Sequence, residues 1–253
     1  MAIKSNSSEQ EVMGSGVKLY SGLANMNVIA VNPTMAELHA LDINVKTEPN
    51  YFLELNGTEY FKVVFWMKNT DLTTRLEILM TSSPRVSQTG KHQWINNIGQ
   101  STWSEGAPTY DWWKTEGQRH AFGGEETLIN FVKAWANVAS GDDVSFDTIG
   151  NMVKGDVSEL KALVKMLSNN QARVLVGVKD GKYQTIYTKH FGRVKPQRDD
   201  LFVRMLNDDY GAFNAEFNTE LNWGEFKPAL SVTTPDEDEK DPFSSDDENK
   251  DWV

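Results

Sequence analysis

The sequence predicts a mixed α+β domain built on an antiparallel sheet or barrel. Two hairpin signals and two helical stripes carry that expectation. Asn56-Gly57 separates two strand-like runs, and Asp180-Gly181 separates two more. Both dipeptides accept the positive φ angles of a type I′ turn. Between the hairpins, residues 125–138 and 156–167 place apolar side chains three and four apart, the period of a helix packed on one face. A chain of 253 residues with 39% apolar and 24% charged residues can bury a core as one large domain.

Taken in order, residues 1–16 are polar and expected to be flexible, and Val17–Val31 reads as the first strand. Asn32-Pro33-Thr34 opens a short helix. Thr34 and Glu37 fit a capping box, and Met35, Leu38 and Leu41 form its stripe. Tyr51–Leu55 and Tyr60–Lys68 are the arms of the first hairpin, and Arg75–Thr81 is a third strand. Residues 82–123 hold Gly, Ser, Thr, Pro and Trp without a sustained period. They read as a long loop region, and long ordered loops usually carry function. Glu125–Val138 is a helix on Leu128, Phe131, Val132, Trp135 and Val138. Asp156–Leu167 is another, with Asp156 and Glu159 as its cap pair; residues 141–154 link the two. Arg173–Lys179 and Lys182–Arg193 form the second hairpin, followed by a weakly helical stretch from 200 and an extended Phe213–Trp223. No internal repeat is present, so a single domain over 17–234 is expected.

The charge is unevenly placed. The chain has 25 Lys and Arg against 36 Asp and Glu, a net −11. Pro235–Val253 alone holds nine acids against two lysines, a net −7, which leaves −4 for residues 1–234. Such a tail cannot bury enough apolar surface to offset its ordering entropy and is expected to be disordered. Phe243 and Trp252 are its aromatics. An acidic tail ending in an aromatic fits a linear docking motif; a purely solubilising tail is the alternative.

Several chemistries are excluded. There is no cysteine, hence no disulfide, thiol nucleophile or cysteine-ligated metal. His39, His92, His120 and His190 form no HExxH, and there is no P-loop and no GxSxG elbow. No cofactor, metal or enzymatic activity is expected. No run of 18 apolar residues exists, and the polar N-terminus lacks the apolar region of a secretory signal.

Two segments could bind a polyanion. Ala172–Arg198 holds seven cations against Asp180 alone, a net +6 within an acidic protein. Strand alternation would put Tyr183, Thr185, Tyr187, Lys189 and Phe191 on one face. Cations that neutralise phosphates, with rings that stack bases, are what single-stranded nucleic acid requires. The alternative is rings in the core and lysines guarding a sheet edge. The loop region adds Trp94, Trp103, Tyr110, Trp112 and Trp113 among Arg85, Lys91, His92, Lys114 and Arg119. These rings are either exposed for stacking or folded back onto the sheet.

LYSGLANMNVIAVNPTMAELHAL (19–41), WINNIGQSTW (94–103), GGEETLINFVKAWANV (123–138), KYQTIYTKHFGR (182–193) and the acidic tail together resemble the single-stranded DNA-binding proteins of tailed bacteriophages, particularly large and crAss-like phages. The resemblance implies an OB-like antiparallel β-barrel with helical insertions. It implies a protein that coats single strands during replication and recombination in the infected cell's cytoplasm, with a tail that docks replication proteins. That tail ends Asp251-Trp252-Val253, so its aromatic is penultimate and is Trp, not Phe. The expected DNA-binding residues are Arg173, Lys182, Tyr183, Tyr187, Lys189, Phe191 and Arg193, followed by Trp94, Trp103, Trp112 and Trp113. Phe243 and residues 251–253 are the expected docking residues. Self-association is open, and a virion assembly protein or a strand-annealing protein are the rival readings.

Overall fold

The structure, a computed structural model, describes residues 19–115, 117–139, 142–144, 146, 149–179, 183–194 and 227–228. The expectations for residues 1–16, the turn at 180–182, residues 200–223 and the tail lie outside these.

The first strand, β1, runs Tyr20–Val31. Ala24, Met26 and Val28 enter the core, while Asn25 and Asn27 fall on the opposite face. A bulge between Val28 and Ala30 shifts the register and returns Val31 to the core. Helix α1 (Met35–Ala40) starts on the capping box its sequence predicts. Thr34 Oγ1 accepts from the Glu37 N–H at 3.2 Å, and the Glu37 carboxylate accepts from the Thr34 N–H at 2.7 Å.

Strands β2 (Phe52–Leu55) and β3 (Thr58–Lys68) form the first hairpin. Asn56 and Gly57 sit at φ 52 and 73, as the turn requires. Strand β4 (Thr73–Met80) then pairs along β3 from Phe61 to Lys68.

Residues 82–123 correct the reading of a loop region. They hold strands β5 (His92–Ile95), β6 (Ser101–Ser104) and β7 (Arg119–His120), an antiparallel sheet in the order β6-β5-β7, and the short helix α2 (Asp111–Thr115). Strands this short sit at or below the shortest run over which alternation is read, so only β5 and β6 could have shown it.

Helices α3 (Glu125–Ala136), α4 (Ile149–Met152) and α5 (Ser158–Met166) follow. Asp156 does not form a reciprocal box with Glu159. Its carboxylate accepts from the Ser158 N–H at 2.9 Å and from the Ser158 hydroxyl at 2.6 Å. The chain then enters β8 (Gln171–Lys179), β9 (Tyr183–Ile186) and β10 (Gly192–Arg193), and β11 (Lys227–Pro228) pairs with the start of β1. The expected long strand over 182–193 is therefore split, with residues 187–191 outside any strand.

β3 lies on one edge of β1 and β8 on the other. β4 lies beyond β3, with β9 and β10 beyond β8. β4 comes against β9, so the main antiparallel sheet curls into a half-barrel. Met26, Phe65, Met67, Leu76 and Val174 line its inside, and α3 covers them with Leu128, Phe131 and Trp135. Phe65 packs 4.7 Å from Phe131 between ring centroids. Each such fully buried apolar side chain contributes about 1.5–3 kcal/mol. A smaller cluster of Leu38, Ile43, Val64 and Trp66 lies on the opposite face of β3, under α1. No helix of the described residues is long and apolar enough to cross a membrane.

Candidate nucleic-acid interface

The small sheet has one anchored face and one bearing rings. Cross-strand register sets Ile95 opposite Ser101 and Arg119, and Trp94 opposite Thr102 and His120. Residues opposite one another share a face. The anchored face meets the start of α3. Gln93 Nε2 donates to Glu126 at 2.6 Å, and the Ser101 hydroxyl donates to the same carboxylate. Arg119 forms a two-pronged pair with Glu125, one prong at 2.8 Å, and Glu125 is fully buried. That pair also accepts the Phe122 N–H, so an otherwise costly buried carboxylate is satisfied.

The other face carries His92, Trp94 and His120. The Trp94 and His120 rings lie 4.0 Å apart at 33°, and His92 lies 4.8 Å from His120. His120 is exposed, and Trp94 and His92 are half-buried. His92 Nδ1 and Trp94 Nε1 are buried without a hydrogen-bond partner, an arrangement that stability alone does not favour. At the edge of the anchored face, on β6 opposite Gln93, Trp103 is 39% exposed, with the Arg85 guanidinium 5.4 Å from its ring centroid. Arg85 is itself held by Gln93 Oε1 at 3.2 Å. Tyr110, before α2, is 64% exposed.

The structure distributes the sequence-predicted residues unevenly. Trp94 belongs to the ring-bearing face, whereas Trp103, opposite Gln93, lies at the exposed edge of the anchored face. Trp113 is buried at 4% exposure and belongs to the interior. The side chains of Trp112 and Tyr183, and all of Lys182, lie outside the described residues. Tyr187 is 1% exposed and leaves no ring face open to a base. The reason is local. The Tyr187 N–H donates to the Leu175 carbonyl at 2.9 Å, one pair beyond Val176–Ile186 in the same register, so Tyr187 keeps its place in the alternation and its ring is buried on the face opposite Ile186. Phe191 packs edge-on to Phe131 at 5.1 Å, against the core. Lys189 is exposed, its ammonium 5.9 Å from the Tyr187 ring. Arg193 Nε donates to Asn137 Oδ1 at 2.7 Å, and Arg173 Nε donates to Asn25 Oδ1 at 3.2 Å. The expected continuous wall of 183, 187, 189 and 191 is not formed. Sequence reasoning left out Arg85, His92 and His120 as site residues. The signal was present in His92-Gln93-Trp94, where alternation puts both rings on one face.

Among the described residues no group of three His, Asp or Glu side chains converges to hold a metal ion. No family model, curated protein or solved structure matches the chain.

Proposed function

We propose that the protein binds single-stranded DNA with little sequence preference, without catalysis, through the ring-bearing patch of the small sheet. The observation that carries this reading is the Trp94–His120–His92 platform on one face of the small sheet, with an exposed Trp103 under Arg85 at the edge of the other. Rings of this kind stack any base, each for about 1–3 kcal/mol, and cations beside them meet the phosphates.

The strand order supports the finer fold reading. Taking β1, β3, β4, β8 and β9 as the five strands of the main sheet, β8 returns beside β1 and β9 comes against β4. That is the Greek-key order of an OB-like barrel, a fold that reads oligonucleotides on its outer surface and loops. Helix α3 and the small sheet enter between the third and fourth strands, as an insertion would. Replication or recombination in an infected cell, and docking of replication proteins through residues 235–253, follow from the resemblance in sequence.

A gel shift with oligo(dT) and with a duplex of equal length tests the reading. The expected result is preferential retention of the single strand, with affinity falling as salt rises by about 0.7 in log–log slope per phosphate neutralised. Equal affinity for duplex, or no retention, refutes it.

A further inference from the structure

We infer that a second site, on the outer face of β1, takes the sugar–phosphate backbone of the same single strand; this rests on the reading above. The residues come from three strands in register. Asn27 stands opposite Lys68 on β3 and Gln171 on β8, and Asn25 stands opposite Arg173. The turn after β3 adds Asn69, Thr70 and Asp71 as one wall of a groove that runs over these rungs, with Leu23 and Ile29 also lining it.

Asparagine is disfavoured inside strands, and β1 is paired on both edges. Two asparagines at successive outward positions therefore need a reason. Asn25 has one, since its oxygen holds the Arg173 guanidinium. Asn69 has one too, accepting from the Asp71 and Leu72 N–H groups to shape the turn. Asn27 makes no side-chain hydrogen bond, and the exposed Lys68 forms no ion pair, among the described residues. Local rules broken without a structural return are where function is sought.

The donor balance selects the ligand. Among the described residues that line the groove there is, beside the ammonium of Lys68, one acid, Asp71, whose carboxylate already accepts from the Thr70 hydroxyl at 2.8 Å. An ammonium group only donates, so a ligand for Lys68 must bring acceptors and negative charge. The two rungs stand two residues apart on β1, roughly 7 Å, on the order of one phosphate step of an extended strand. The amides of Asn25 and Asn27 then meet sugar or base acceptors between the phosphates.

The test uses the full-length chain, fluorescently labelled oligo(dT) and anisotropy across a salt series. Lys68→Gln should lower the log–log salt slope by about 0.7, the share of one phosphate. Asn27→Ala should weaken binding several-fold with the slope unchanged, and neither should move the melting temperature. Lys165→Gln, on the exposed side of α5, should leave the slope as it was. If the wild type binds and both groove variants match it in slope and affinity, the groove inference is overturned while the proposed function stands. If the wild type fails to bind, both fall. Replacing chloride with inorganic phosphate at equal ionic strength should preserve the gap between wild type and Lys68→Gln. Loss of that gap makes the groove a site for free anions and overturns the inference.

Discussion

Replacing Trp103 and Tyr187 by alanine, one at a time, should separate binding from folding. Trp103 is 39% exposed, so its truncation leaves no sealed cavity. The stability it gives up is mainly the contact with Arg85, about 0.5–1 kcal/mol for an exposed cation–π pair. A stacked base is worth about 1–3 kcal/mol, so the Kd for oligo(dT) should rise roughly 5- to 150-fold. Tyr187 reverses the pattern. At 1% exposure its removal should cost about 3–5 kcal/mol of stability, as large buried aromatics do. At roughly 2–4 °C per kcal/mol for a chain of this length, the melting temperature should drop by about 6–20 °C. Binding should persist below the new transition. Differential scanning fluorimetry and anisotropy on the same preparations give both numbers. A Trp103→Ala protein that binds oligo(dT) like the wild type removes the central ring from the proposed site. A Tyr187→Ala protein that melts like the wild type yet binds weakly means that the ring faces the ligand and not the interior.

Thr34→Ala should cost about 0.5–2 kcal/mol by removing the cap of α1. The Thr34 N–H holds the Glu37 carboxyl below its ordinary range. A depressed carboxyl pKa stabilises the fold above its unfolded value and stops doing so as pH falls through the folded one. The gap in melting temperature between wild type and Glu37→Gln should therefore narrow on acidification from pH 7 through the carboxylate range, and a gap independent of pH contradicts the capping account. Gly124→Ala should destabilise strongly. Its φ of 82 costs a side chain about 1–3 kcal/mol, and a Cβ there overlaps the Leu79 carbonyl oxygen; chemical denaturation measures the loss. Deleting Pro235–Val253 removes a net −7 and should tighten oligo(dT) binding at low salt, the gain shrinking as salt screens both interactions. Weaker binding of the truncated chain at low salt rules out competition between tail and DNA.

Elements whose signal is local were legible in the sequence. The Asn56-Gly57 turn, the Thr34–Glu37 box and the stripe of α3 each depend on residues a few positions apart, and the structure forms all three. What was not legible depends on partners far along the chain. Whether residues 92–95 are loop or strand is decided by pairing with 101–104 and 119–120, and by the acids at the start of α3. Tyr187 looks like the next outward residue of a hairpin arm. Its bond to Leu175 keeps it in register with the arm, and only its burial shows that the ring is covered. Net charge pointed to the hairpin because it counts cations along the chain, whereas rings and cations meet on the small sheet through pairing in space.

The placement of that small sheet bears on how it could bind. Glu125 and Glu126 belong to the first turn of α3, where the helix dipole favours acids. They face the sheet rather than solvent, and each is used: one by Arg119 and Phe122, the other by Gln93 and Ser101. The inner face is thereby tied to a helix whose far side is buried in the half-barrel, through Phe131 and Trp135. The outer face inherits that rigidity. Trp94, His92 and His120 are held against one another there, and at the exposed edge of the inner face Arg85 is fixed over Trp103 by Gln93. Rings already ordered lose little side-chain entropy when a base stacks on them, about 0.5–1.5 kcal/mol saved for each long side chain that need not be immobilised. A loop with the same residues would spend much of its stacking energy on ordering itself. Loosening the anchor should then weaken binding without touching a ring. Glu126→Gln keeps an acceptor for Gln93 and offers an N–H to the Ser101 hydroxyl oxygen, and should bind oligo(dT) nearly as the wild type does. Glu126→Ala frees the inner face and should lose affinity although no ring is removed. Equal affinity for the two variants means that the platform is ordered by something other than α3.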